Sequence, residues 1–265
     1  MAWDPRQYAA FADERARPAW DLMARIPLAE AAHVADLGCG PGHQVAALAR
    51  RFPTARVEGV DSSPEMLAAA ERTLAAELAP ADAARVTLAH ADAADWRPQT
   101  PPDAIYSNAL LQWLDHHETL LPRLVGLLAP GGVLAVQMPR NHGEASHAAM
   151  ADLAADPRWA ARLSAHLRPG PVAAPAVYDA LLAPLCRHVE VWETVYFHHL
   201  SGPDPVLAWV KGTALRPLLA ALATDAERAA FEAAYAEKMR AAYPPRADGV
   251  TLFPFRRVFF VAVKG

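Results

Sequence analysis

A glycine-rich turn is the part of this sequence best suited to binding a small ligand. The run Val34-Ala35-Asp36-Leu37-Gly38-Cys39-Gly40-Pro41-Gly42 leads from an apolar segment into glycines at alternate positions. Glycines let the backbone turn tightly and let a ligand lie against it with no Cβ in the way. The sequence therefore predicts a binding turn formed by Gly38, Cys39, Gly40 and Gly42.

Two aspartates lie at the ends of the next two predicted strands. Asp61 closes the segment that begins at Val57, and Asp92 closes the segment that begins at Val86. A carboxylate in the first of these positions can accept both hydroxyls of a ribose. Because the carboxyl ends of parallel strands meet at one crevice, we expect both acids to face the same pocket. A glycine turn without a ligand is the alternative, and the two acids argue against it.

The elements that must position these residues alternate between strands and helices over residues 34–137. The predicted strands are 34–37, 56–60, 86–89, 104–107 and 133–137, with later strands at 189–196 and 258–263. This alternation is typical of βαβ units. We predict a single α/β domain with a doubly wound, Rossmann-like sheet, and a cofactor-binding core over residues 30–138. The helical insertions 139–188 and 200–250 are predicted to form a substrate cap, with structural padding as the alternative.

Composition limits the possible partners. The 265 residues carry 29 acidic and 25 basic side chains and no dense Lys/Arg tract, so we expect no nucleic-acid partner. No apolar run reaches the roughly 20 residues that span a bilayer. With no signal pattern at the N-terminus, we expect no membrane association and a cytoplasmic location. Cys39 and Cys186 are too few for a disulfide framework or a structural zinc site, and we assign no metal.

Residues 34–137 resemble the class I S-adenosylmethionine-dependent methyltransferases, whose mostly parallel sheet has an antiparallel seventh strand. The resemblance implies that Asp61, with Ser62 beside it, binds the ribose of S-adenosylmethionine. It also implies that Asp92 contacts the adenine amine, that Ala93 supplies a backbone amide, and that Asn108 lies beneath the methionine moiety and the sulfonium.

The flanking segments resemble one family within this class, the trans-aconitate 2-methyltransferases, along nearly the whole chain. The matching segments are Trp3-Asp4-Pro5 with Tyr8, Glu14-Arg15-Ala16-Arg17-Pro18, Asp61-Ser62-Ser63-Pro64, Leu111-Gln112-Trp113-Leu114, Leu134-Ala135-Val136-Gln137-Met138-Pro139, Leu215-Arg216-Pro217 and Phe253-Pro254-Phe255-Arg256-Arg257. The last segment departs from the shorter family pattern, which leaves open whether Arg256 or Arg257 is the matching residue.

This resemblance implies methyl transfer from the sulfonium to one carboxylate of trans-aconitate, giving a monomethyl ester and S-adenosylhomocysteine. A carboxylate is already ionised at neutral pH, so we expect positioning residues and no general base. Arginine suits a small tricarboxylic acid because its planar fork meets a carboxylate with two hydrogen bonds.

Arg216 is the first predicted substrate contact, because an arginine before a proline lies near a helix break. A surface ion pair is the alternative for this residue, and Lys211, about one turn earlier, is a second candidate. Arg17 lies in residues 1–29, which the resemblance implies form a lid over the cofactor. Arg17 would bind either a carboxylate of the substrate or the carboxylate of the methionine moiety. Tyr8 is predicted to close the same lid on the cofactor, with plain packing as the alternative.

Three further residues are predicted near the substrate. Gln112 follows the fourth strand, close to where the methyl group should lie. Tyr196 and His198 follow the predicted sixth strand and share one of its faces, with His199 on the other. A structural role is the alternative for the histidines.

Other functions remain open at this point. The enzyme could methylate another small carboxylic acid, or an acid bound to an acyl carrier, which would require a basic exterior patch. A nicotinamide oxidoreductase is disfavoured, because His43 stands where a G-x-G-x-x-G/A fingerprint has its third small residue. A non-catalytic S-adenosylmethionine-binding sensor would lack a cationic pocket beside the sulfonium. We expect a monomer.

Overall fold

The computed structural model describes residues 12–167, 170 and 172–265. A seven-stranded sheet has the order β3-β2-β1-β4-β5-β7-β6. Its strands are β1 (His33–Leu37), β2 (Arg56–Asp61), β3 (Val86–His90), β4 (Ala104–Asn108), β5 (Val133–Pro139), β6 (Cys186–Leu200) and β7 (Thr251–Lys264). The first five strands are parallel, and β7 lies antiparallel between β5 and β6. The predicted doubly wound, mostly parallel fold is confirmed.

Helices cover both faces of this sheet and form the cap. They are α1 (Ala12–Ala24), α2 (His43–Arg51), α3 (Pro64–Glu77), α4 (Pro80–Ala83), α5 (His117–Leu127), α6 (Ala145–Ala155), α7 (Ala160–Leu163), α8 (Pro175–Leu182), α9 (Pro205–Lys211), α10 (Arg216–Ala221) and α11 (Asp225–Ala242). The Ser63 side chain caps α3 by accepting from the amide of Met66, with Pro64 in the first turn.

Two apolar clusters fill the two faces of the sheet. One lies on the α1 and α2 side and includes Val34, Tyr106 and Phe259. The other lies on the α5 side and includes Ile105 and Phe260. Alternating side chains of the central strands are therefore buried on both faces, as expected for strands covered by helices on both sides.

A third apolar cluster joins α6, α7, α9, α10 and α11 to the ends of β6 and β7. The predicted cap differs in one respect, because α8 belongs to the 139–188 insertion but packs on the sheet. Its Tyr178 and Leu182 lie in the cluster on the α5 side. Within the described part of the chain, no helix has the length and apolar character needed to cross a bilayer.

Two strand boundaries differ from the sequence prediction. β3 ends at His90, so Asp92 lies in the following turn and does not close the strand. β6 continues to Leu200, so Tyr196 and His198 lie within it and do not follow it. The extension exists because β6 pairs with β7 along its whole upper part, from Tyr196 opposite Phe255 to Leu200 opposite Thr251. The cap packs on this extended hairpin.

Candidate active site

The glycine turn joins β1 to α2 and is fixed by the end of β2. The amides of Gly38 and Cys39 both donate to the carbonyl of Val60, at 2.8 and 3.0 Å. Gly40 has φ 53° and Gly42 has φ 87°, in the left-handed region that glycine adopts readily. A Cβ on Gly42 would lie 2.9 Å from the Cβ of Ala70, whereas one on Gly40 would meet nothing within 4 Å. The backbone is therefore open at Gly40, where a ligand can approach it.

The Asp61 carboxylate spans the turn and the start of α3. Its Oδ2 accepts from the amide of Gly40 and its Oδ1 from the amide of Ser63, both at 2.9 Å. A carboxylate offers about four acceptor positions, so capacity remains for a diol. Ser62 is exposed beside it.

Asp92 and Ala93 follow β3 next to β2. Asp92 is exposed, and its Oδ1 accepts from the amide of Ala94 at 2.8 Å, which shapes the turn. Ala93 is buried, and its carbonyl accepts from Arg123 at 2.6 Å. Both residues are thus held in a defined turn at the carboxyl end of the sheet, on the Asp61 side.

Asp36 is a candidate site residue that sequence reasoning missed. It is buried on β1, two residues before Gly38, and its Oδ2 has no hydrogen-bond partner among the described residues. Burial, reinforced by the charge of Asp61, raises the pKa of Asp36 to about 8. A buried acid of this kind favours a cationic ligand group. In the sequence, the signal that could have identified Asp36 is a single acidic residue inside an otherwise apolar strand.

A row of polar side chains crosses the same face of the sheet. Asp36 is aligned with Tyr106, two residues before Asn108 on β4, and Asn108 is aligned with Gln137 on β5. Gln137 is aligned with Phe259 on β7, two residues from Arg257. Since side chains two apart on a strand share a face, these residues face the α1 side together. The row leads outward from the glycine turn.

The chain leaves β4 in a strained conformation at this row. Ala109 has φ 57°, which is costly for a residue with a Cβ. Its carbonyl accepts from Nε2 of Gln112 at 2.6 Å. The Oδ1 of Asn108 and the Oε1 of Gln112 are buried without hydrogen-bond partners in the described structure. Asn108 and Gln112, both predicted site residues, therefore lie on the same turn, and each has an acceptor atom that a ligand could use.

Arg257 and Tyr196 end the row. Arg257 is 4% exposed and donates to Oε1 of Gln137 at 3.3 Å. Its Cζ lies 6.0 Å from the ring centroid of Tyr196, and the Cζ of Arg17 lies 5.5 Å from the same centroid. The Tyr196 hydroxyl donates to Asp21 of α1, and burial followed by this hydrogen bond raises the pKa of Tyr196. Two guanidinium groups thus lie close to one buried ring.

Arg256 lies on the opposite face of β7 from Arg257. It contacts Glu144 at 3.2 Å and Glu193 at 3.7 Å. It also lines a cavity of about 210 Å³ together with Arg140, His142, Gly143, Glu144 and Val172. Strand alternation therefore separates the two adjacent arginines, and only Arg257 belongs to the polar row.

The remaining predicted substrate contacts lie in or against the cap. Arg216 begins α10, with its amide donating to the carbonyl of Thr213. Lys211 ends α9 and forms an ion pair with Glu232 at 2.8 Å. His198 is buried, and its ring stacks on Trp209 with centroids 4.3 Å apart. Tyr8 lies outside the described residues.

The cofactor predicted from the sequence fits these residues. S-adenosylmethionine carries a ribose diol and two cationic centres, the ammonium and the sulfonium. Asp61 keeps free acceptor positions for the diol, and Asp36 is a buried acid with an unused oxygen. The open backbone at Gly40 leaves room for the ligand between them.

Comparison with known proteins agrees with this geometry. A family described as a methyltransferase domain matches residues 34–132. A trans-aconitate 2-methyltransferase from Azoarcus sp. (strain BH72) is 50% identical over 262 residues, covering 99% of each chain. Another, from Streptomyces avermitilis, is 51% identical over 268 residues, covering 99% of this chain and 97% of the relative.

A solved structure shows the same fold. It is phosphoethanolamine N-methyltransferase 2 of Haemonchus contortus in complex with phosphomonomethylethanolamine and S-adenosylhomocysteine. It matches 94% of this chain with a TM-score of 0.55 and 18% identity, and this chain spans 52% of that longer protein. The two nearly full-length relatives establish more than the fold: this chain belongs to the trans-aconitate 2-methyltransferase family of class I methyltransferases.

Proposed function

We propose that this enzyme transfers the methyl group of S-adenosylmethionine to one carboxylate of trans-aconitate, giving a monomethyl ester and S-adenosylhomocysteine. One observation carries the proposal: the polar row runs from the glycine turn and Asp36 to the buried guanidinium of Arg257. An acidic end suits the cationic cofactor, and a basic end suits an anionic acceptor. The relatives named trans-aconitate 2-methyltransferase support this choice of acceptor.

The cofactor would be held by residues at the carboxyl ends of β1 to β4. Asp61 would accept the ribose hydroxyls, and Asp92 with the amide of Ala93 would contact the adenine. Asp36 would face a cationic group of the methionine moiety, and the unpartnered oxygen of Asn108 would lie near the sulfonium. When bound, the sulfonium supplies an electrophilic methyl group.

The acceptor needs no proton removed, because a carboxylate is ionised at neutral pH. The task of the protein is therefore to orient the acid and exclude water from it. Arg257 suits this task because a planar fork meets a carboxylate with two parallel hydrogen bonds. Arg17, whose Cζ lies 5.5 Å from the centroid of the Tyr196 ring, would hold a second carboxylate. Holding the reactants in line can contribute about 7–11 kcal/mol to catalysis.

Other residues predicted from the sequence have secondary roles in this proposal. Gln112 lies beside Asn108 on the strained turn after β4. Arg216 and His198 would contribute from the cap side, and Lys211 forms an ion pair with Glu232 on α11. We propose that the protein works as a monomer in the cytoplasm on a free small acid, without nucleic acid.

Incubation with methyl-labelled S-adenosylmethionine and trans-aconitate tests the proposal. The expected result is one labelled monomethyl ester for each S-adenosylhomocysteine formed, both quantified by mass spectrometry. Cofactor binding without ester formation would leave the fold and cofactor assignments in place and remove the substrate assignment.

A further inference from the structure

Gln137 is a polar residue in the buried centre of the sheet. Five residues of β5, Val133 to Val136 and Met138, are apolar and buried around it, and Gln137 itself is 0% exposed. A glutamine at such a position loses its hydration and is retained at a free-energy cost unless both ends of its amide are hydrogen-bonded.

Only one end of this amide is paired. The Oε1 of Gln137 accepts from Nη1 of Arg257 at 3.3 Å. The Nε2 group is buried and has no hydrogen-bond partner within the part of the chain that the structure describes. An amide whose acceptor is used and whose donor is unused can bind an anion or another acceptor.

The surroundings of Gln137 indicate what that acceptor is. Gln137 is aligned with Asn108 on the cofactor side, and strands in a sheet lie about 4.8 Å apart. On the other side lies Arg257, whose guanidinium contacts Oε1 of the same amide. The Gln137 side chain therefore stands between Asn108, which we propose lies near the sulfonium, and Arg257, which we propose binds the substrate.

We propose that Gln137 is a specificity-determining residue, whose Nε2 group donates a hydrogen bond to the carboxylate that accepts the methyl group while Oε1 keeps Arg257 in place. This inference rests on the proposed function and adds a substrate contact absent from the sequence prediction. It also explains why a half-paired amide is tolerated in the core, since the substrate would complete its hydrogen bonding.

Two substitutions separate substrate binding from a structural role. Gln137→Glu keeps an acceptor for Arg257 but replaces the donor with a negative oxygen, which would repel a carboxylate. Gln137→Met keeps the length of the side chain and removes both functions. Gln99→Glu makes the same change of charge on an exposed loop and serves as the control.

The proposal predicts that the KM for trans-aconitate rises about 10- to 100-fold in Gln137→Glu and about tenfold in Gln137→Met. The Kd for S-adenosylmethionine should stay within about twofold, and Gln99→Glu should behave as wild type. A wild-type KM in Gln137→Glu is the opposite pattern, whether or not Gln137→Met loses activity. That pattern would overturn the proposal.

A measurement on the wild-type protein keeps the proposal testable if a variant does not fold. In protein labelled with ¹⁵N-glutamine and saturated with S-adenosylhomocysteine, trans-aconitate should shift the side-chain amide resonance of Gln137, and absence of a shift would overturn the contact. A shift without ester formation would remove the proposed reaction and keep the contact. Ester formation with an unchanged KM in Gln137→Glu would keep the proposed reaction and remove the contact between Gln137 and the substrate.

Discussion

The amide of Gly40 donates a 2.9 Å hydrogen bond to Oδ2 of Asp61, tying the turn after β1 to the end of β2. The carboxylate thus fixes the most open point of the glycine turn while keeping acceptor positions for a ligand. Loop and strand end form a single binding element.

Replacing Asp61 should abolish most cofactor affinity. In Asp61→Ala the ribose would lose the two hydrogen bonds that we propose it donates to this charged acceptor, each contributing about 1.5–3 kcal/mol. We therefore expect the Kd for S-adenosylmethionine to rise at least about 100-fold, measured by titration calorimetry. Asp152→Ala, on the exposed side of α6, is the control and should leave the Kd unchanged. A similar Kd in both variants would exclude Asp61 from the ribose site.

A substitution at Gly40 tests whether the cofactor contacts the protein backbone at this residue. Gly40→Ala places a Cβ in open space at φ 53°, and Gly131→Ala does the same at φ 72° in the loop between α5 and β5. Each should cost about 1–2 kcal/mol of stability from the left-handed backbone. Only Gly40→Ala should also weaken cofactor binding, by about tenfold or more, because its Cβ would enter the open space that we propose the cofactor fills. Equal affinity in the two variants would contradict this placement.

Asp36 should make stability depend on pH in a defined direction. Burial raises the pKa of Asp36 from 3.8 to about 8, so between these values the folded protein holds a proton that the unfolded chain releases. The free energy of unfolding contributed by this group is therefore complete below about pH 4 and falls as the pH rises through 8.

Asp36→Asn removes this titration and resembles the protonated acid in shape. Urea unfolding of the ligand-free protein should show variant and wild type similar near pH 4, and the variant more stable near pH 8. The difference should change by up to about 1.4 kcal/mol per pH unit. A difference that is the same at both pH values would mean that Asp36 is ionised in the folded protein throughout.

Much of the geometry of the candidate cofactor site could be predicted from the sequence because its signals are local. The glycine spacing, Ser63 with Pro64, and the acid after the second strand each lie within a few residues of the element they define. The alternation of strands and helices then fixes the parallel sheet that brings the glycine turn and Asp61 together.

The acceptor side depends on pairing between distant segments, and sequence reasoning found less of it. Gln137 becomes a candidate only when β4, β5 and β7 lie side by side, since its unused donor is defined by neighbours at Asn108 and Arg257. The sequence also left open whether Arg256 or Arg257 is the residue that matches the family pattern. Alternation places them on opposite faces, but which face is covered by α1 and the cap is decided by the fold.

The two adjacent arginines allow a matched comparison. Arg257→Lys keeps a positive charge but loses the planar fork, so we expect the KM for trans-aconitate to rise about tenfold or more, with little change in cofactor affinity. Arg256→Lys changes the half-exposed arginine on the other face and should leave both constants near wild type. Steady-state kinetics on both variants measures the KM for trans-aconitate. A larger rise in Arg256→Lys than in Arg257→Lys would place the substrate on the Arg256 side of β7.

The most direct test of the central claim is the specificity constant, kcat/KM, for a panel of di- and tricarboxylic acids with S-adenosylmethionine in excess. The polar row predicts that trans-aconitate exceeds cis-aconitate, isocitrate and citrate by at least about tenfold, because the contact between Gln137 and Arg257 fixes the arrangement of the two side chains. Equal constants across the panel, or preference for a monocarboxylic acid, would contradict the account.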